Sequence, residues 1–130
     1  MKILKNSDHL ALYVHPGYES LIFVAYALGA AGFKTITATY DSNILEGISD
    51  FSNLDVIVFD QMREMEYLNY CSKLKNNERT KNIPIIVIVD NEDITQDQVI
   101  SSGADKYLKT PLDIIAFREN ITAYLRRQSY

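Results

Sequence analysis

The chain has little of what marks several specialised classes of protein. It contains one cysteine, three prolines and five glycines in 130 residues, while 47% of its residues are apolar and 23% are charged. A single cysteine, Cys71, cannot form an internal disulfide, so nothing indicates an oxidising compartment. The apolar and charged fractions exclude a disordered segment and a collagen-like repeat. The composition is therefore that of an ordinary globular protein.

The chain also lacks an excess of positive charge and a long hydrophobic run. Thirteen Lys and Arg against seventeen Asp and Glu give a net charge of −4, which provides no field to attract nucleic acid. The longest run without charge, residues 20–33, is shorter than the roughly 20 residues that cross a bilayer. No basic segment precedes that run directly, which argues against a signal peptide. We predict a soluble cytoplasmic protein that binds neither nucleic acid nor membrane.

The length is enough for one domain, which we assign to residues 1–130 with a core at about 9–127. Near-continuous apolar runs, such as the five Ile and Val residues after Pro84, are typical of strands covered on both faces. Helical spacing of apolar residues separates these runs. The predicted strands are 9–14, 34–39, 54–59, 84–89 and 106–109, and the predicted helices are 18–31, 42–50, 64–76, 95–102 and 112–127. This alternation predicts an α/β fold with a parallel, doubly wound sheet.

Four segments in the same order and spacing resemble response-regulator receiver domains, the CheY-like family. Gly32 and Phe33 close the first helix as the family's Gly-Tyr or Gly-Phe does. The run from Asp55 to Asp60 is similar to the family's third strand, which ends on a phosphate-accepting aspartate. Residues 83–89 are similar to the fourth strand, and Gly-Ala-Asp-Lys-Tyr-Leu-Lys-Thr-Pro at 103–111 is similar to the segment around the fifth. The resemblance covers nearly the whole chain. It implies a flavodoxin-like (βα)5 fold with five parallel strands in the order 2-1-3-4-5, helices on both faces, and Asp60 at the phosphoacceptor position.

Several positions depart from the family's phosphorylation site. His15 and Pro16 stand where receivers carry the acidic pair that holds Mg²⁺, and an octahedral oxygen shell needs such ligands. Val89 replaces the switch Ser or Thr, and Thr110 replaces the lysine before the proline. Asp90 replaces a small residue, and we expect its carboxylate to repel a phosphoryl group near Asp60. Because phosphoryl transfer depends on positioning and charge neutralisation, the sequence predicts a pseudo-receiver without catalytic residues, metal or cofactor.

Three functions therefore compete. The first is a receiver-like module, not an enzyme, that acts through protein–protein contacts with a histidine kinase or a downstream effector. The second is a working receiver that binds Mg²⁺ and is phosphorylated at Asp60 in a phosphorelay. The third is a flavin carrier or small enzyme, which residues 15–20 do not favour, since they offer one glycine and the carboxylate of Glu19 to a phosphate. A transition-metal site of His15, Asp60 and Asp90 is an alternative, but we expect His15 to be a salt-bridged loop residue at the rim.

Two surfaces are candidates for protein contacts. Tyr107 matches the family's aromatic switch residue, and we expect it to form a fixed part of the surface made by the fourth helix, fifth strand and fifth helix. The first helix shows a core stripe of Phe23, Val24, Ala27, Leu28 and Ala31. A second apolar face, the helix-1 surface, consists of Leu21, Ile22, Ala25, Tyr26 and Gly29. Because a contiguous apolar face is a candidate interface, we predict self-association or partner binding there, the alternative being coverage by residues 1–8.

Overall fold

Strands and helices alternate along the chain. The computed structural model describes residues 9–16, 18–40, 44–49, 53–60, 66–90, 93–110 and 112–128. The elements in chain order are β1 (Leu10–His15), α1 (Tyr18–Ala30), β2 (Lys34–Thr39), α2 (Ile44–Ser49), β3 (Val56–Asp60), α3 (Glu66–Lys75), β4 (Ile85–Val89), α4 (Gln96–Ser101), β5 (Lys106–Lys109) and α5 (Ile114–Gln128). Each predicted element is present. Where the helix ends fall on described residues, α1 and α3 end one residue earlier than predicted, α4 is one residue shorter at each end, and α5 begins two residues later and ends one residue later.

The strands form one parallel sheet in the order β2-β1-β3-β4-β5. This confirms the predicted α/β, doubly wound fold. In the register of β1 and β3, Tyr13 pairs with Val58 and Val14 with Phe59. Asp60 pairs with Ile88 on the opposite side of β3. The carboxyl ends of the central strands thus meet at one edge of the sheet, where doubly wound folds place their ligands.

Two apolar layers cover the sheet, one on each face. Strands β3 and β4 are buried along their whole length, which explains why they read as unbroken apolar runs. On one face the strands pack against α2, α3 and α4, through residues that include Ile48, Leu74 and Val99. On the other face they pack against α1 and α5, through residues that include Leu28 and Phe117.

Two helices are followed by glycines whose backbone lies in the left-handed region. Gly32 and Gly103 follow α1 and α4 with φ of 102° and 116°, a backbone region that side chains other than glycine rarely adopt. Thr95 and Gln98 form a capping box at the start of α4. Thr95 accepts a hydrogen bond from the backbone N–H of Gln98, and the Gln98 side chain accepts one from the backbone N–H of Thr95. Within the described ranges, none of the helices has the length and apolar character needed to cross a membrane.

Candidate functional site at the carboxyl edge of the sheet

Asp60 is the centre of the candidate site. It is the last residue of β3, and it is 0% exposed to solvent. Side chains alternate along a strand, so Asp60 projects to the same face as Val58, towards α1 and α5. Burial of a carboxylate is costly unless hydrogen-bond donors replace the lost water. The donors around Asp60 therefore decide what this site can do.

Tyr13 supplies a donor to the Asp60 side chain. Its hydroxyl donates a hydrogen bond to Asp60 Oδ2 across the pair of strands β1 and β3. Tyr13 is itself 0% exposed, and it lies on the same face of the sheet as Asp60. The register explains the contact, because Tyr13 is level with Val58 and a phenol reaches two residues further along the neighbouring strand.

Tyr40 binds Asp60 from the other face of the sheet. Its hydroxyl donates to the Asp60 backbone carbonyl at 3.0 Å. The Tyr40 ring belongs to a stack with Phe59 and Tyr70, with ring centroids 5.9 to 6.3 Å apart. Burial, and after it the negative charge of Asp60, raises the pKa of Tyr40 far above its usual value. Tyr40 is therefore a neutral donor at physiological pH.

The two positions that should carry the acidic pair lie at the end of β1. His15 is the last residue of that strand, pairs with Thr39 of β2 and is buried. Its ring lies 5.2 Å from the Tyr13 ring. The expectation of a loop residue at the rim is therefore wrong, because β1 continues one residue beyond its predicted end. Pro16 follows on the surface and is exposed.

The remaining site positions lie on β4 and β5. Val89 is the last residue of β4 and is buried, whereas Asp90 follows it as an exposed residue. Thr110 is half-buried, and its backbone N–H donates to the Val89 carbonyl at 3.0 Å. The structure thus brings Val89 and Thr110 together through the backbone. The repulsion that we predict between Asp90 and a phosphoryl group stays a prediction.

The described residues at the end of β1 give a poor set of ligands for a magnesium ion. Mg²⁺ requires an octahedral shell of oxygen ligands. Here the last residue of β1 is a histidine and the next is a proline, and the Asp60 carboxylate already accepts the Tyr13 hydroxyl. In the part of the chain that the structure describes, no three His, Cys, Asp or Glu side chains come close enough to share a metal ion, so the alternative transition-metal site finds no support there.

The two predicted contact surfaces differ in how far their residues are exposed to solvent. Tyr107 is half-buried, packs against the α2–α4 layer and donates to the Ile94 carbonyl at 3.1 Å. On the helix-1 surface, Tyr26 is 68% exposed, Gly29 is exposed and Ala25 is half-buried. The side chains of Leu21 and Ile22 lie outside the described part of the structure.

The core stripe of α1 needs a correction. Val24, Ala27 and Leu28 are buried as predicted, and Ala31 is half-buried. Phe23 is 38% exposed and does not belong to the core. The physical reason is helical geometry, because Val24, Ala27, Leu28 and Ala31 follow the i, i+3, i+4, i+7 spacing and Phe23 precedes that stripe by one residue.

Sequence reasoning missed Tyr13 and Tyr40 as partners of Asp60. A signal for Tyr13 was present, because it is the one aromatic residue in the apolar run Leu10–Val14. A tyrosine in a fully buried strand needs a partner for its hydroxyl. Tyr40 carries a weaker signal, since it directly follows a strand that alternates polar and apolar residues. Neither pattern identifies Asp60 as the partner.

Comparison with solved structures shows the class of fold that the sheet and its carboxyl edge define. The chain has the fold of response-regulator receiver domains, which confirms in fold the resemblance predicted from the sequence. A response regulator from Thermotoga maritima aligns with a TM-score of 0.76 and 17% identity, over 92% of this chain and 98% of that one. CheY4 of Vibrio cholerae, a chemotaxis response regulator, gives 0.76 and 18%, over 90% and 98%.

Two further proteins are similar to this chain, one in structure and one in sequence. The receiver domain of the sensor histidine kinase PA1611 from Pseudomonas aeruginosa PAO1, solved with a magnesium ion in its active-site cleft, aligns with a TM-score of 0.73 and 15% identity, over 90% of this chain and 97% of that domain. The DNA-binding dual master transcriptional regulator RpaA of Synechocystis is 34% identical over 76 residues. That match covers 56% of this chain and only 31% of RpaA. No protein-family model matches the sequence.

Proposed function

We propose that this chain is a receiver-like signalling domain of two-component systems that acts by protein–protein interaction, without Mg²⁺-dependent phosphorylation. The observation that carries the proposal is the state of Asp60. Its carboxylate is fully buried and accepts the Tyr13 hydroxyl. A phosphoacceptor must instead meet a phosphodonor and a cation that neutralises the developing charge.

The neighbouring positions support the same proposal. His15 and Pro16 offer no carboxylate to a cation, and Val89 offers no hydroxyl to a phosphoryl oxygen. With Thr110 in place of a lysine, the groups that would neutralise a phosphoryl group at Asp60 are missing from these positions. The partners that fit such a domain are a histidine kinase or a downstream effector, recognised through its surface.

Binding of a phosphoryl analogue tests the proposal. We expect no binding of beryllofluoride to the wild-type chain in millimolar Mg²⁺, as followed by ¹⁹F NMR, and no change of mass with acetyl phosphate. A bound fluorine signal that disappears in Asp60→Asn would contradict the proposal and favour a working receiver in a phosphorelay. The Asp60→Asn variant keeps the size of the side chain, so it separates binding at Asp60 from binding elsewhere.

We place a protein contact on the helix-1 surface. Tyr26 is 68% exposed, and residues 20–33 carry no charge, so this helix presents apolar area to solvent. A symmetric dimer through α1 is one form of this contact, since twofold pairs are the commonest homo-oligomers. Sedimentation velocity at increasing concentration tests it.

In that experiment we expect Tyr26→Asp to weaken association without changing the far-UV circular dichroism spectrum. Ile100→Asp is the matched control, because Ile100 is 41% exposed on α4, which packs on the opposite face of the sheet. A wild-type chain that stays monomeric at the highest concentration would exclude the dimer. Equal loss of association in both variants would place the contact elsewhere.

A further inference from the structure

The hydrogen bond between Tyr13 and Asp60 suggests more than the absence of phosphorylation. We propose that the Tyr13 hydroxyl is an internal ligand of Asp60 that closes this carboxylate to external cations and phosphoryl analogues. The inference rests on the proposed function and deepens it, because it assigns the closed state of the site to one named group. Tyr13 is thus a positioning residue, because its hydroxyl holds the Asp60 carboxylate in a state that does not bind external ligands.

The geometry makes the Tyr13 hydroxyl a persistent ligand. Tyr13 and Asp60 lie on adjacent parallel strands, β1 and β3, whose pairing runs through four consecutive residue pairs. Both residues are 0% exposed. The phenol is therefore fixed by the sheet at its backbone and by packing at its ring, and it does not depend on a flexible surface rotamer.

Tyr40 restrains the backbone of Asp60. The carboxylate therefore cannot leave the Tyr13 hydroxyl by a shift of the backbone. The Tyr40 hydroxyl donates to the Asp60 backbone carbonyl at 3.0 Å, from the opposite face of the sheet. This bond fixes the backbone of Asp60 and does not touch the carboxylate. An external cation that binds through Asp60 Oδ2 must therefore displace the Tyr13 hydroxyl. A hydrogen bond to a charged group is worth a factor of roughly ten or more in an equilibrium constant.

The two tyrosines give a test with an internal control. Pro16 is exposed and directly follows β1, so Pro16→Asp introduces a carboxylate at the end of that strand without altering a buried position. Four proteins are compared: wild type, Pro16→Asp, Pro16→Asp with Tyr13→Phe, and Pro16→Asp with Tyr40→Phe. Mn²⁺ affinity from water-proton relaxation and beryllofluoride binding by ¹⁹F NMR are the measurements, and circular dichroism checks that each variant folds.

We expect Pro16→Asp with Tyr13→Phe to bind Mn²⁺ about tenfold or more tightly than Pro16→Asp alone. Pro16→Asp with Tyr40→Phe should bind Mn²⁺ no more tightly than Pro16→Asp alone. A Tyr13 that only filled space would give no such difference, because phenylalanine retains the ring. Tyr13→Leu is a second variant without the hydroxyl, for use if Tyr13→Phe does not fold in this background.

The outcomes separate this inference from the proposed function. Equal Mn²⁺ affinity with and without the Tyr13 hydroxyl would overturn the inference, as would a complete lack of binding in all four proteins. Equal gains from the Tyr13 and Tyr40 variants would also overturn it, because general loosening would then be the cause. Beryllofluoride binding by the wild-type chain would overturn both the proposed function and the inference, whereas equal Mn²⁺ affinity without such binding would overturn the inference alone.

Discussion

Aspartates at the two edges of the sheet are bound in different ways. At the amino edge, the carboxylate of Asp105 accepts the backbone N–H of Ile85 at 2.8 Å and the Lys75 ammonium at 3.0 Å. Its side chain is 41% exposed. At the carboxyl edge, the Asp60 carboxylate accepts the phenol of Tyr13 and is fully buried.

A second aspartate repeats the arrangement of the amino edge. Asp55 accepts the backbone N–H of Leu10 at 2.7 Å, and its carboxylate lies 3.6 Å from His9 Nδ1. Asp55 and Asp105 thus each bind the first N–H of a neighbouring strand while remaining partly exposed. Solvent and salt screen such carboxylates, but they do not reach Asp60. The comparison leads us to expect that the Asp60 carboxylate depends on the Tyr13 hydroxyl more than the amino-edge aspartates depend on Lys75 and His9.

The sharpest test of that difference is removal of the Tyr13 hydroxyl. Tyr13→Phe leaves a buried carboxylate without this donor, so we expect the free energy of unfolding to fall by about 2–3 kcal/mol. Tyr40→Phe removes a bond to a neutral carbonyl and should cost only about 1 kcal/mol. Urea denaturation measures both values. Equal losses would mean that the charge of Asp60 does not set the strength of its hydrogen bond.

A substitution at Gly103, next to Lys75 of the amino-edge ion pair, should have the next largest effect on stability. Gly103 has a φ of 116°, and an added Cβ would lie 2.9 Å from Lys75 Cγ and 3.3 Å from the Cys71 carbonyl oxygen. We expect Gly103→Ala to lower the free energy of unfolding by about 1–2 kcal/mol. Gly29→Ala is the matched control, because nothing lies within 4 Å of its added Cβ and the position is helical. Equal stability of Gly103→Ala and wild type would contradict the expected strain.

Alkaline pH should weaken the fold through Cys71. Burial raises the pKa of the Cys71 thiol from 9.0 to about 11. The unfolded thiol therefore ionises first, and the stability that is fully present below pH 9 is lost as the pH rises towards about 11. The slope should approach about 1.4 kcal/mol per pH unit. Stability of Cys71→Ala, measured by urea denaturation at pH 8 to 10, should fall less steeply, and an unchanged slope would assign the effect to other groups.

The smallest effect should come from the amino-edge ion pair. Asp105→Asn retains an acceptor for the Ile85 N–H and loses the charge that pairs with Lys75. We expect a loss of about 0.5–1 kcal/mol at low salt that largely disappears in roughly 1 M NaCl. Denaturation of both proteins at the two salt concentrations measures it. The loss in Tyr13→Phe should persist in high salt, and its disappearance there would remove the contrast between the edges.

The sequence alone determined the order of elements, because local patterns produce them. Apolar runs identify β3 and β4, the Thr95 and Gln98 spacing identifies the start of α4, and Gly103 identifies its end. The resemblance to receiver domains also depends on local runs in a fixed order, and it placed Asp60 at the end of its strand. These features involve residues close together in the chain, so periodicity and capping rules are enough to find them.

Only the tertiary structure decided what surrounds Asp60. Tyr13 and Tyr40 lie 47 and 20 residues away from it in the chain, and the register of three parallel strands brings them together. That register arises from the packing of the whole sheet, so no local pattern contains it. The same reason explains Phe23, whose apolar character suggested the core although the rotation of α1 on the sheet left it 38% exposed.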